Sequence, residues 1–284
     1  MCRDSNQSPY EGTSMIPAYS SALVNARESE SPIRQAVDEP DRPVRVDPAT
    51  AKVRFRTAED SVETLDWDDA AAVLAAPLAP WRTFGWWYGQ QHYSGTYWSR
   101  TQRDHVIYES RLELARLIYA DFDRNVTSIA AQPFLLEAEV DGRWRRHIPD
   151  FLLRTSNGPV VVEVKPRQRV SAPTVAYTLT WARQLVEDRG WDYEVWSEPP
   201  PVELANLRFL AGYRDERRIN QDVLDSVKQA DLDCLTVGQA TAVLSDLSRP
   251  LVRAAICHLL WHGALVTDLD APLQSTSVLR RGAR

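Results

Sequence analysis

The sequence predicts an α/β fold, a mixed sheet flanked by helices, followed by an α-helical C-terminal part. Three observations lead there. The middle of the chain reads in order as a helix, three strands, a buried strand, a helix and a strand. Val160-Val161-Val162 is a continuous apolar run, which suits a strand covered on both faces. Glu198–Pro201 is a proline-rich break, after which the pattern turns helical.

The elements follow in chain order. Residues 1–43 are rich in Ser, Pro, Glu and Asp without hydrophobic period, and read as a disordered lead-in. Lys52–Thr57 alternates charged and apolar residues like a strand, and Asp66–Ala75 reads as a short helix with acidic residues at its start. Trp81–Trp98 is dense in Trp, Tyr and Gly and fits either a strand pair or an ordered loop. Val106–Ala120 reads as a helix, with Tyr108, Leu112, Ala115 and Tyr119 on one side. Val126–Ala131, Phe134–Val140, Arg143–Leu153 and Val160–Lys165 suit strands. Asp141-Gly142 marks a hairpin turn, and Ser156–Pro159 a second turn. Ala172–Asp188 is then a helix and Tyr193–Trp196 a strand.

Beyond the break, Val202–Tyr213, Asn220–Lys228, Thr236–Leu244 and Pro250–Trp261 read as helices. Thr236 and Gln239 stand at capping-box spacing; Pro250 and Gly263 mark the last helix's start and end. Ala264–Thr267 and Ser275–Leu279 suit a small hairpin, which gives the order of a winged helix-turn-helix. The expected domains are the lead-in 1–43, an accessory region 44–100, the α/β domain 101–198 and a winged-helix-like domain 199–284.

Composition sets bounds. At 284 residues, with 44% hydrophobic and 25% charged residues, the chain is ordinary globular material. No stretch approaches the roughly 18–20 apolar residues of a membrane span, and Met1–Tyr10 is too polar for a signal peptide. Three scattered cysteines argue against a disulfide framework or structural zinc and for a reducing cytoplasm. Net charge is −6, with 11 basic and 15 acidic groups in residues 1–105, so any nucleic-acid surface must be local. Lys52, Lys165 and Lys228 are the only lysines, so arginine serves almost everywhere else and a lysine within a motif stands out.

The chemistry sits between Ile148 and Lys165. Glu163 and Lys165 lie two apart near the end of the buried strand and share one face, with Val162 and Val164 on the other. An antiparallel neighbour joined through Ser156–Pro159 brings Asp150 near Glu163. Paired carboxylates suit Mg²⁺, which can stabilise phosphate charge and lower the pKa of a bound water. An adjacent lysine can orient that water or neutralise the phosphate. Glu113 or Glu109, on the preceding helix, could complete the set. An isolated E-x-K is usually a surface ion pair. Here the strand is buried, Pro149 fixes the approach to Asp150, and an acid-bearing helix precedes.

Proline-aspartate, a spacer and E-x-K on a buried strand resemble the PD-(D/E)XK nuclease core, whose fold is restriction-endonuclease-like. More narrowly, Tyr108–Leu114, Asn125–Ile129, Gln132-Pro133, Ile148–Leu153 and Glu163–Pro166 resemble TnsA, the endonuclease subunit of heteromeric cut-and-paste transposases, over roughly residues 100–196. The resemblance implies that Glu113, rather than Glu109, joins Asp150 and Glu163 in binding Mg²⁺, with Mn²⁺ able to substitute, and that Lys165 completes the catalytic set. It implies hydrolysis at the 5′ ends of a transposon, a DDE-type transposase that handles the 3′ ends, and an AAA+ ATPase regulator. Residues 1–100 match nothing in the family pattern. A stand-alone restriction- or repair-type nuclease and a non-catalytic adaptor remain alternatives.

Other residues need weighing. Gln132-Pro133 reads as a turn and His147 as structural or phosphate-facing. Arg143, Arg145 and Arg146 suit a solvated strand edge as well as they suit phosphate contact, whereas Arg167 and Arg169 lean to phosphate. Trp81, Trp86, Trp87 and Trp98 suit a core or a partner interface better than base stacking. Arg253 is the basic group that the helix Pro250–Trp261 offers to DNA. The tail carries 10 basic and 10 acidic groups, which favours protein docking over sequence reading there.

Overall fold

In the computed structural model, residues 43–59, 61–82 and 93–282 are described. The readings of a disordered lead-in and of Trp86 and Trp87 fall outside them. The chain runs β1 (Val46–Thr57), β2 (Val62–Asp66), α1 (Ala71–Ala75), β3 (Leu78–Ala79), β4 (Gly95–Ser99), β5 (Asp104–Tyr108) and α2 (Arg111–Phe122). There follow β6 (Val126–Ala131), β7 (Leu135–Val140), β8 (Arg143–His147), β9 (Phe151–Thr155) and β10 (Gly158–Val164). Then come α3 (Arg167–Val170), α4 (Pro173–Asp188), β11 (Asp192–Trp196), α5 (Pro201–Ala211), α6 (Gln221–Gln229), α7 (Val237–Val243), α8 (Arg249–Trp261), β12 (Leu265–Val266) and β13 (Arg280–Arg281).

Two sheets carry the α/β part. One is antiparallel, in order β2-β1-β7-β8, with β3 also on β1. The other is mixed, in order β11-β10-β9-β6, with β10 and β11 parallel. The Asp141-Gly142 turn joins β7 to β8, both residues at positive φ (51° and 73°) as a two-residue hairpin requires. Residues 46–57, placed at the front by sequence, form a strand paired to β7 inside the first sheet.

Side-chain alternation divides the core. Val161 faces a cluster containing Val53, Phe55 and Leu136 of the first sheet and Leu179, Trp181 and Leu185 of α4. Val162 and Val164 face the opposite cluster, with Leu117 of α2 and Leu207, Ile256 and Trp261 of the helical tail. Each large apolar side chain so enclosed contributes about 1.5–3 kcal/mol.

Three expectations need correction. The helix expected from Val106 starts at Arg111, since Asp104–Tyr108 pairs with β4 as a strand. Ser110 caps the helix, its hydroxyl accepting from the Glu113 amide at 3.1 Å. The reason was legible: Ser110-Arg111-Leu112-Glu113 is an S-x-x-E start signal that the apolar period obscured. The strand expected over Arg143–Leu153 is two strands in different sheets, with Ile148-Pro149-Asp150 crossing between them. The second strand of the terminal hairpin is Arg280–Arg281 rather than Ser275–Leu279. The Thr236–Gln239 capping box forms as expected.

Candidate active site

Asp150 sits where the chain enters the second sheet, and β10 lies antiparallel to the strand it starts. The Val164 amide donates to Asp150 Oδ2 at 2.6 Å, and Lys165 Nζ donates to the same oxygen at 2.8 Å. Lys165 Nζ also donates to Glu163 Oε2 at 3.3 Å. The sheet therefore gathers the aspartate, the glutamate and the lysine as the spacing predicts. Glu163 is fully buried, and its other oxygen accepts from His147 Nε2.

Glu113 joins from α2. Its Oε2 accepts from the Glu109 amide at 2.7 Å, so it closes the helix start while it faces Asp150. Glu109 lies to one side: its Oε1 accepts from Gln132 Nε2 at 2.6 Å. Of the two helix acids, Glu113 is the one on which the Asp150 charge bears, while Glu109 is engaged by Gln132.

The charges interact. Burial and the Asp150 charge push Glu113 up to about 7. Burial and Glu163 also raise Asp150, against the pull of Lys165. Burial alone would raise Glu163, but His147 and Lys165 outweigh it and hold it low. For Lys165, burial opposes the charge, yet Glu163 and Asp150 prevail and lift its pKa. The set is a partly buried network in which three carboxylates stand against one ammonium.

That excess fits a divalent cation. Carboxylates close enough that Asp150 raises Glu113 and Glu163 raises Asp150 supply the hard oxygen donors that Mg²⁺ prefers. Among the described residues, no three His, Cys, Asp or Glu side chains gather into a ready-made metal cage.

The basic candidates divide. Arg145 lies over the Tyr177 ring at 5.4 Å, and Arg146 pairs with Glu137 at 2.6 Å. The Arg167 backbone amide donates to Glu198 Oε2, and both Arg167 and Arg169 stand exposed on α3, just past Lys165. Arg253 is exposed on α8, which packs on α5, α6, α7 and β12 rather than on the cluster. Trp98 carries Arg214 and Arg217 at 5.8 and 5.2 Å from its ring, and Trp81 carries Arg54 at 5.7 Å, as structural aromatics do.

Two residues have larger roles than sequence assigned. Gln132 stands at positive φ (46°); its side chain ties Glu109 to the Arg82 amide and its own amide donates to the Asp150 carbonyl. His147 belongs to the cluster itself. Its place before Pro149-Asp150 was visible, but its contact with Glu163 depends on how two sheets meet.

The mixed sheet brings proline-aspartate and E-x-K together at its end, as the resemblance to the PD-(D/E)XK nuclease core leads us to expect. Residues 123–198 match the family model described as TnsA-like endonuclease N terminal. The match takes in Asp150, Glu163 and Lys165, and Glu113 precedes it. Over this stretch, about a quarter of the chain, the protein is similar to TnsA-like nucleases, which are related to transposase subunits. No curated protein matches the chain. Among the described residues, no helix is long and apolar enough to cross a membrane.

Proposed function

We propose that the chain is a Mg²⁺-dependent DNA endonuclease subunit of a heteromeric cut-and-paste transposase, hydrolysing phosphodiesters at the 5′ ends of the element. The observation that carries this is the junction of Asp150, Glu163 and Lys165 at adjoining strand ends, with Glu113 beside them, in a TnsA-like stretch. Glu113, Asp150 and Glu163 hold the ion in this reading. Bound there, it supplies charge stabilisation to the phosphate and acidifies a water. Lys165 orients the attacking water and stabilises charge on the phosphate oxygens. Arg145, Arg146, Arg167 and Arg169 are candidate phosphate contacts around the site.

The tail supports a docking role. Helices α6, α7 and α8 with the β12–β13 ladder give a winged-helix-like order, and its balanced charge suits a protein partner better than DNA. A DDE-type transposase and an AAA+ ATPase are the partners this reading names. Arg253 on α8 is the residue to test for DNA contact there.

Strand-specific cleavage of DNA bearing the element's ends, with Mg²⁺ and the partner transposase, tests the function. Asp150→Ala and Lys165→Ala should each abolish 5′-strand cuts while 3′-strand cuts persist. Variants that cut every strand like the wild type would instead establish the adaptor role. Wild-type cutting of naked DNA without any partner would establish a stand-alone nuclease.

A further inference from the structure

We propose that His147 is a positioning residue of the acid–lysine cluster: it holds the Glu163 carboxylate in one orientation, and Glu163 in turn aims the Lys165 ammonium. The inference rests on the nuclease reading above and adds a residue that nothing in the E-x-K pattern assigns.

A carboxylate with no access to water must find its donors within the protein. Glu163 has two, on different oxygens. Oε1 accepts from His147 Nε2, and Oε2 from Lys165 Nζ. Turning the carboxylate breaks one bond or the other, so the two donors together fix its plane. His147 is itself held on two sides. Its backbone pairs with Leu136 through β8, and its ring meets Trp181 of α4 edge-on, with centroids 6.1 Å apart.

The consequence falls on Lys165. An ammonium has three N–H bonds in tetrahedral array. One points at Asp150 Oδ2 and one at Glu163 Oε2, and once two directions are set the third is set as well. That third N–H is the one left for the attacking water or a phosphate oxygen. With Glu163 loosened, the ammonium pivots about its bond to Asp150 and the third direction is lost. His147 spends its Nε2 on Glu163 and acts through it, not on the reacting atoms.

Two amides of nearly equal chemistry separate positioning from packing. In His147→Gln, the side-chain nitrogen stands where Nε2 stood and can still donate to Glu163. In His147→Asn, it falls short. Melting midpoints for both confirm that each folds. His147→Asn should lower kcat about tenfold or more, the usual scale for removing an orienting partner, with KM within about twofold; His147→Gln should keep most of the wild-type rate. A second readout needs no activity. The chain has three lysines, so the ¹⁵N-lysine ammonium spectrum is simple, and a half-buried Lys165 held by two carboxylates exchanges more slowly with water than the exposed Lys52 and Lys228. Its signal should persist in the wild type and in His147→Gln and shift or vanish in His147→Asn. Equal losses in both amides, or an Asn variant with unchanged signal and rate, would overturn the proposal. A wild type that cuts no DNA would overturn the nuclease reading, and the lysine spectrum would still decide the role of His147.

Discussion

Glu113 has two duties, and the second explains its cost. As an acid in the first turn of α2 it accepts from the Glu109 amide, and it is partly withdrawn from water within reach of the Asp150 charge. Its pKa rises to about 7 from 4.5, so between those values the folded state holds a proton that the unfolded chain releases. Stability from this group is therefore full below about pH 4.5 and lost as pH rises through 7. In the absence of divalent ions, Glu113→Gln should raise the melting midpoint at pH 8 by an amount equivalent to at most about 3 kcal/mol, and leave it unchanged near pH 4.5. Equal midpoints at both pH values would show that Glu113 is not strained by its neighbours. At this scale the sequence was most legible where one strand's alternation and one short turn decide the geometry, as for Asp150, Glu163 and Lys165. It was least legible where separate elements meet. His147 reaches Glu163 only because β8 and β10 belong to sheets that share α4, and Gln132 turns inward through a positive φ that a single sequence does not announce.

The hairpin of β4 and β5 shows how an element missed by periodicity is held by one side chain. Asp121 of α2 is buried and accepts four bonds: from Tyr97 Oη at 2.9 Å, Ser99 Oγ at 2.7 Å, the Arg100 amide at 3.1 Å and the Thr101 amide at 2.7 Å. Gly95 lets the strands close, because a Cβ there would stand 2.5 Å from the Tyr108 hydroxyl oxygen. The run Val106-Ile107-Tyr108 looks helical beside α2, yet its partners are Tyr97, Thr96 and Gly95 upstream, which a local pattern cannot report. The same limit merged β8 with β9, whose apolar and basic residues form one plausible strand until Pro149 turns the chain from one sheet to the other. Asp121→Ala leaves four donors without their acceptor, the Tyr97 and Ser99 hydroxyls among them buried, and should cost about 3 kcal/mol, seen as a lower urea midpoint. Amide exchange should speed first in residues 95–108, next to the lost anchor. Protection unchanged there would mean that strand pairing alone holds the hairpin.

Across the whole molecule, the proline-rich break at Glu198–Pro201 reads as a boundary, yet the apolar cluster runs through it. Leu117 and Trp196 on one side and Leu207, Leu210, Ile256 and Trp261 on the other belong to one buried set. Polar and aromatic contacts fasten the same seam: Phe122 meets Trp261 edge-on at 5.3 Å, Tyr119 donates to Glu203 at 3.0 Å, and Arg214 Nε donates to the Trp98 carbonyl at 2.7 Å. A chain ending at Glu198 would open to water the faces of α2 and Trp196 that pack on Leu207, Leu210, Ile256 and Trp261, in the cluster that also backs Val162 and Val164. Exposing several large apolar side chains at about 1.5–3 kcal/mol each exceeds the margin of about 5–15 kcal/mol by which a domain this size stays folded. The shortened chain should therefore lack a cooperative thermal transition and bind a hydrophobic dye, whereas the full chain melts as one unit. A sharp melt in residues 43–198 alone would show instead that the break is a true domain boundary. In that case the tail could be exchanged without touching the acid–lysine cluster. If the cooperative outcome holds, a partner that seats on the tail shares one packed core with the strand that leads into Glu163 and Lys165, and docking is coupled to the acid–lysine cluster through that core.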